Sequence, residues 1–178
     1  MVEPVWFRLQ RGETEDFAAS VPKNYPYYMD EESFNALEDD TSTYKFVGRR
    51  DFPDFLFAPI FMMSDRFQGI FEQLAPETAF KYLHFINDER KEELPSPLYW
   101  FPYLPACDAL HKESVVVQGK AQQIVLKGEA LEDNRIIHIH LPADDIWCFS
   151  LEAAECILRR SPVGISFEKV TVRQSHEI

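Results

Sequence analysis

IWCFSLEAAECILRRSPVGISFEKVTV, residues 146–172, carries the plan of the chain. Ile146 to Phe149 is apolar and rich in β-formers, so it reads as a strand. Ser150 offers a hydroxyl to the exposed amides of a helix start. Leu151, Ala154, Ile157 and Leu158 then fall on one helical stripe. Glu152 and Glu155 lie toward the positive helix start, Arg159 and Arg160 toward its negative end. Pro162 lacks an amide proton and stops the helix. Gly164 permits the turn into Ile165–Val172, which alternates as a strand does.

The same grammar appears earlier. Phe55 to Ser64, FLFAPIFMMS, is an apolar run ending in a serine. Phe67, Ile70, Phe71 and Leu74 follow at i, i+3, i+4 and i+7, Pro76 ends the stripe, and Phe80 to Phe85 is the next strand. Ser64 to Pro76 and Ser150 to Pro162 are both 12 residues apart. Few side chains match between the two stretches, so a repeated unit and two uses of one βαβ-like solution both stay open.

The 178 residues suffice for one domain or two small intimate lobes. A hydrophobic content of 46% excludes wholesale disorder. No apolar run approaches the roughly 18 residues that span a membrane. The start, MVEPVWFRLQ, lacks a basic segment followed by an apolar core, so no secretion signal is expected there. Cys107, Cys148 and Cys156 are odd in number and widely spaced, which suits a reducing, cytoplasmic setting better than a disulfide framework. The net charge of −12 makes nucleic acid a poor partner, because phosphate binding needs clustered Lys and Arg.

Along the chain, Val5 to Leu9 reads as a short strand, and Glu32 to Leu37 as one or two helical turns. Tyr25, Tyr27 and Tyr28 have the apolar body and polar tip that serve either core packing or an interface. Residues 1–45 hold four basic and ten acidic side chains, hence −6, half of the net charge. Asp30, Glu31, Glu32, Glu38, Asp39 and Asp40 are the candidates for a charge-guided partner contact. The mixed charge run from Ile86 to Leu94 reads as a solvated loop or face. Leu98 to Leu104, LYWFPYL, suits a strand, and Pro102 places it at an edge or a bulge. Of the 25 aromatic residues only Trp147, Phe149 and Phe167 follow position 104, after which the strands are aliphatic: Val115–Val117, Ile124–Leu126 and Ile136–Leu141. This is compatible with an aromatic lobe, 1–104, and an aliphatic lobe, 105–178. No Gly/Ser-rich linker divides them, so one domain over 1–178 is expected.

Three groups have residue types that carry chemistry. His138 and His140 alternate on a candidate strand and so share a face, as in some metal sites. A complete site needs a third ligand, and nothing in sequence forces Asp144 or Asp145 close, so neither metal nor cofactor is expected. Asp108 and His111, with Cys107 or Ser114, have the inventory of a hydrolytic site but stand too close in sequence to be read as a triad. The pairs Asp39/Asp40, Glu92/Glu93 and Asp144/Asp145 read as solvated charge unless a pocket gathers them. No catalytic residue is assigned.

The order of elements is similar to that of the Imm-eleven-type immunity proteins of bacterial polymorphic toxin systems, a family first described as a domain of unknown function. The resemblance rests on an apolar strand leading into Ser64-Asp65-Arg66-Phe67 and on the Asp108 to Ser114 segment. It continues through short strands near Ile124–Leu126 and Ile136–His140, a strand into Ser150, and the closing helix–Pro–Gly–strand. It covers roughly residues 45–175. The resemblance implies a small cytoplasmic protein that binds a cognate toxin and occludes it; the acidic excess suits a basic toxin. The alternatives are a small enzyme using Asp108, His111 or Cys107, and a non-catalytic interaction module. The expected fold is α+β, with a mixed or mainly antiparallel sheet and at least two amphipathic helices, 65–74 and 151–160.

Overall fold

β-branched and aromatic runs form strands here, and two apolar stripes, each preceded by a serine, form helices. A computed structural model describes residues 4–12, 16–19, 25, 29–38, 40–47, 52–58, 60–87 and 96–174, with the backbone alone at 16–19, 40 and 45–47. The first half contains β1 (Trp6–Arg11), β2 (Asp16–Ala19), α1 (Glu31–Ala36), β3 (Asp40–Val47), β4 (Phe55–Leu56) and β5 (Met62–Ser64). α2 (Asp65–Leu74), β6 (Ala79–Asn87) and β7 (Leu98–Tyr103) follow. Next come β8 (Val115–Val117), β9 (Lys120–Gln123), β10 (Val125–Lys127) and a short 3-10 helix, Gly128–Leu131. β11 (Ile136–Leu141), β12 (Asp144–Ser150), α3 (Leu151–Leu158) and β13 (Ile165–Arg173) close the described chain. The fold mixes α and β, with strands dominant.

Two sheets share one topology. The first runs β4-β5-β7-β6-β3-β2 and the second β11-β12-β1-β13-β10. In the first, β4–β5, β5–β7 and β7–β6 are antiparallel and β6–β3 is parallel. In the second, β11–β12, β12–β1 and β1–β13 are antiparallel and β13–β10 is parallel. α2 links β5 to β6 and α3 links β12 to β13, so each sheet holds a βαβ unit split by an antiparallel strand. Beyond the extra edge strand β2 of the first sheet, the source of that splitting strand differs. β7 follows β6 directly, whereas β1 comes from the opposite end of the described chain. The equal spacing of the two Ser…Pro stretches thus reflects a common architecture. Phe61 and Trp147, each three residues before the serine of its unit, stack on one another with centroids 4.6 Å apart.

The main core lies between the sheets. Phe67, Ile70 and Phe71 of α2, with Ala153, Ala154 and Ile157 of α3, pack there against Met63, Trp147 and Phe149. On the far side of the second sheet Trp6, Ile137, Ile139, Ile146 and Cys148 meet Leu126 and Leu131. On the far side of the first, Phe34 and Leu37 of the α1 region cover Met62, Leu83 and Tyr99. The inward face of α3 is rotated from the expected stripe: Leu151 and Leu158 are 45% and 52% exposed, and Ala153 is buried instead. The helix is short, and Ala153, Ala154 and Ile157 make its contact with the core. Ser150 caps α3, its Oγ accepting from Ala153 N at 3.3 Å. Pro102 does not lie on an edge strand, because β7 sits between β6 and β5. It is tolerated because three-residue β5 pairs only with Tyr99 and Trp100, leaving that side of Pro102 unpaired.

Ser64 does not cap its own helix. Its hydroxyl donates to Asp54 Oδ1 at 2.7 Å. Asp54, 3% exposed, also accepts from Arg66 Nη1 at 3.0 Å and from the Val163 amide at 2.8 Å. Its own amide donates to Val163 O, and its carbonyl accepts from Ser64 N. Arg66 and Arg160 exchange guanidinium-to-carbonyl hydrogen bonds beside it. One buried carboxylate therefore joins the strand before α2, the start of α2 and the turn after α3.

Removing the carboxylate strands those donors and should be severe: Asp54→Ala is expected to cost about 3–5 kcal/mol in denaturant unfolding. Phe71→Ala should cost about 3–5 kcal/mol, whereas Leu158→Ala should stay within roughly 0.5–1 kcal/mol. Equal losses at Phe71 and Leu158 would contradict the rotated face.

Candidate functional site

β11 alternates along its length. Ile137 and Ile139 enter the outer core, while Ile136, His138 and His140 face the seam between the sheets. β12 runs antiparallel beside it, with His138 opposite Trp147 and His140 opposite Asp145. Asp145 Oδ1 lies 3.0 Å from His138 Nε2 and 2.9 Å from His140 Nδ1. The other nitrogen of His138 lies 3.0 Å from the Leu104 carbonyl. That oxygen can only accept, so Nδ1 donates, tying the second sheet to the end of β7. The His138 ring stacks on Trp147 at 4.7 Å, extending the aromatic column begun by Phe61.

This cluster lines a cleft of about 480 Å³ at the seam. Met29, Phe57, Ile60 and Phe61 give it an apolar wall, and the Phe101–Leu104 stretch another. Arg8, Gln10, Arg11, His140, Asp144 and Asp145 supply polar groups. Cavities of this size and mixed lining are typical of ligand sites. The acids of the 144/145 pair part company, as successive strand residues must. Asp144 meets Arg8 at 3.1 Å and accepts from Ala121 N at 3.3 Å. Asp145 takes the two histidines on Oδ1, and its Oδ2 has no partner among the described residues. Burial raises the Asp145 pKa, but hydrogen bonds and charge from His138 and His140 outweigh it, and the carboxyl is held below 3.8.

The histidines thus share a face with a carboxylate that sequence spacing did not oblige to join them. Among the described residues, no group of three or more His, Cys, Asp and Glu has an arrangement fit for a metal ion. The imidazole nitrogens on Asp145 serve as its hydrogen-bond partners.

Cys107, Asp108 and His111 do not assemble. Asp108 pairs with Lys127 Nζ at 2.7 Å, and His111 Nδ1 accepts from Glu113 N at 3.3 Å. Burial and the neighbouring Asp108 push the Cys107 thiol up, away from a thiolate, with only Lys127 opposing. Ser114 bonds the Val125 backbone through both its acceptor and its donor. None of the four lines the cleft.

The N-terminal candidates are divided. Asp30 caps α1, its Oδ1 accepting from Ser33 N at 2.7 Å, and hydrogen bonds from the Ser33 side chain and then the Ser33 amide lower its pKa. Glu31, Glu32 and Glu38 are exposed, while Phe34 and Leu37 on the opposite side are 2% and 4% exposed. Tyr25 is half-buried with its ring 6.0 Å from Phe101. Asp40 begins β3, and only its backbone is described. Tyr27, Tyr28, Asp39, Glu92 and Glu93 lie outside the described residues. Arg8, Gln10 and Trp147, which help to form the cleft, escaped attention in the sequence. Arg8 and Gln10 alternating with apolar residues in β1 were the available signal, since a polar or charged side chain within a central strand must find a partner.

Comparison with known proteins finds no family model that matches this chain and no matching curated protein. Among the described residues no helix is long and apolar enough to cross a membrane.

Because the folded pKa of Asp145 is depressed, its contribution to stability is present above the ordinary carboxylate range and disappears as pH falls through the folded value. The stability difference between wild type and Asp145→Asn should therefore shrink below about pH 4. A carboxyl-carbon NMR titration of Asp145 should give a midpoint below 3.8. A midpoint at or above that value would show that the imidazoles do not hold the charge.

Proposed function

We propose that this protein is a cytoplasmic immunity protein that binds a basic cognate toxin and neutralises it by stoichiometric occlusion. The observation that carries the reading is a pre-organised acidic ridge continuous with the cleft. Asp30 fixes the first turn of α1, and Phe34 and Leu37 anchor that segment to the core. Glu31, Glu32 and Glu38 are thereby presented to solvent at little entropic cost. Met29, the residue before the cap, forms part of the cleft wall. The −12 net charge adds a long-range field of the same sign. Such a field steers a basic partner and discriminates against acidic ones. The resemblance of the order of sequence elements to the Imm-eleven-type family is in line with the same reading.

The test is co-expression with the product of the adjacent gene, followed by pull-down and association kinetics. Protection of the cell and a one-to-one complex are expected. Replacing Glu31, Glu32 and Glu38 together by Gln should slow association, by about tenfold at low salt, and flatten its salt dependence while leaving the unfolding midpoint in place. No protection and no complex would sink the reading, and protection without any complex would indicate an enzyme instead.

A further inference from the structure

We infer that the seam cleft is the pocket for one cationic side chain, a lysine or arginine of the partner, held at Asp145 Oδ2. The inference rests on the neutralisation reading above and names the contact that reading leaves open. Asp145 supplies an ionised carboxylate positioned by two histidines on one oxygen, with its other oxygen unused. Its side chain is 50% exposed, so a group entering the cleft can reach it. The wall formed by Met29, Phe57, Ile60 and Phe61 suits the alkyl stem of a long basic side chain, which buries its methylenes while its head seeks an anion. A carboxylate-bearing side chain in the same place would meet Asp145 with like charge. The arginines of the cleft are already engaged: Arg8 by Asp144, and Arg11 by contacts of its own. The acidic ridge begins at Asp30, next to the Met29 wall, so the steering surface leads to the pocket.

The probes are n-butylguanidinium and n-butylammonium, with n-butanol and butyrate as neutral and anionic controls. They are titrated into the full chain while the His138 and His140 ring signals are followed by NMR. Saturable shifts with the two cations are expected, with dissociation constants on the order of 1 mM or weaker. Butyrate and butanol should be without effect. Asp145→Asn should abolish the response. Ile60→Trp, which narrows the cleft and leaves the carboxylate in place, should abolish it independently. No saturable response, equal responses to cation and anion, or a response that survives both substitutions would overturn the pocket. With the toxin complex in hand, each substitution should weaken binding by at least about tenfold. A complex indifferent to both overturns the pocket and leaves neutralisation standing. Absence of any complex removes neutralisation alone, because the small-cation titration still decides what the cleft binds.

Discussion

A carboxylate taken out of water must be repaid by donors, and Asp54 draws its donors from two separate stretches of chain. Desolvating such a charge costs several kcal/mol, so the geometry survives only when every donor arrives together. The Ser64 hydroxyl and the Arg66 guanidinium come from the start of α2. The Val163 amide comes from the turn between α3 and β13. The two split βαβ units are thereby pinned to each other at one end of the shared core. The Phe61–Trp147 stack joins them within that core. Between these fixed points the crossing of the sheets is set, and with it the width of the seam.

The cleft follows from that crossing. β5 has three residues, and beyond it β7 continues with an unpaired side around Pro102. Residues of β11 and β12 from the second sheet and the Phe101–Leu104 stretch from the first line the cleft there. His138 spans part of the opening, bonded to the Leu104 carbonyl on one side and Asp145 on the other. A small imidazole–carboxylate cluster thus occupies the place where the interlocking apolar core ends. Polar groups at such a margin can stay hydrated in part and still be held in a fixed geometry.

Local patterns told most about local elements. α2 begins and ends where its stripe, Pro76 and the preceding serine placed it, β8 and β11 lie on their aliphatic runs, and β13 lies on its alternating one. Half of the α3 stripe was legible: Ala154 and Ile157 are buried as expected, but Leu151 and Leu158 are exposed and Ala153 is buried, because the ends of so short a helix reach past the core. Pro102 misled for a related reason: a proline argues against pairing on one side, and a central strand next to a very short neighbour has such a side. Ser64 reads as a cap like Ser150, yet its hydroxyl is claimed by Asp54, a partner no helix signal specifies. The candidate site was half legible. Strand alternation put His138 and His140 on one face, but the carboxylate between them and the aromatic column beside them depend on pairing with β12. The acidic segment was visible as composition, while the cap and hydrophobic anchor that orient its glutamates needed tertiary contacts.

The position of β1 has a consequence for the birth of the molecule on the ribosome. The first sheet is drawn from a continuous run of chain and can assemble as soon as β7 has emerged. The second cannot: β1 hydrogen-bonds to β12 and β13 on its two sides, and the Arg8–Asp144 contact closes a loop of 136 residues. The earliest strand must therefore wait, unpaired on both edges, until nearly all of the described chain has been made. Long-range closure of this kind slows folding and leaves apolar strand edges open to wrong partners. Arg8, Gln10 and Arg11 break the apolar run of β1, and their charge and polarity suit a strand that must remain soluble while it waits. The residues that border the cleft in the folded protein thus also interrupt what would otherwise be an apolar edge in the nascent chain.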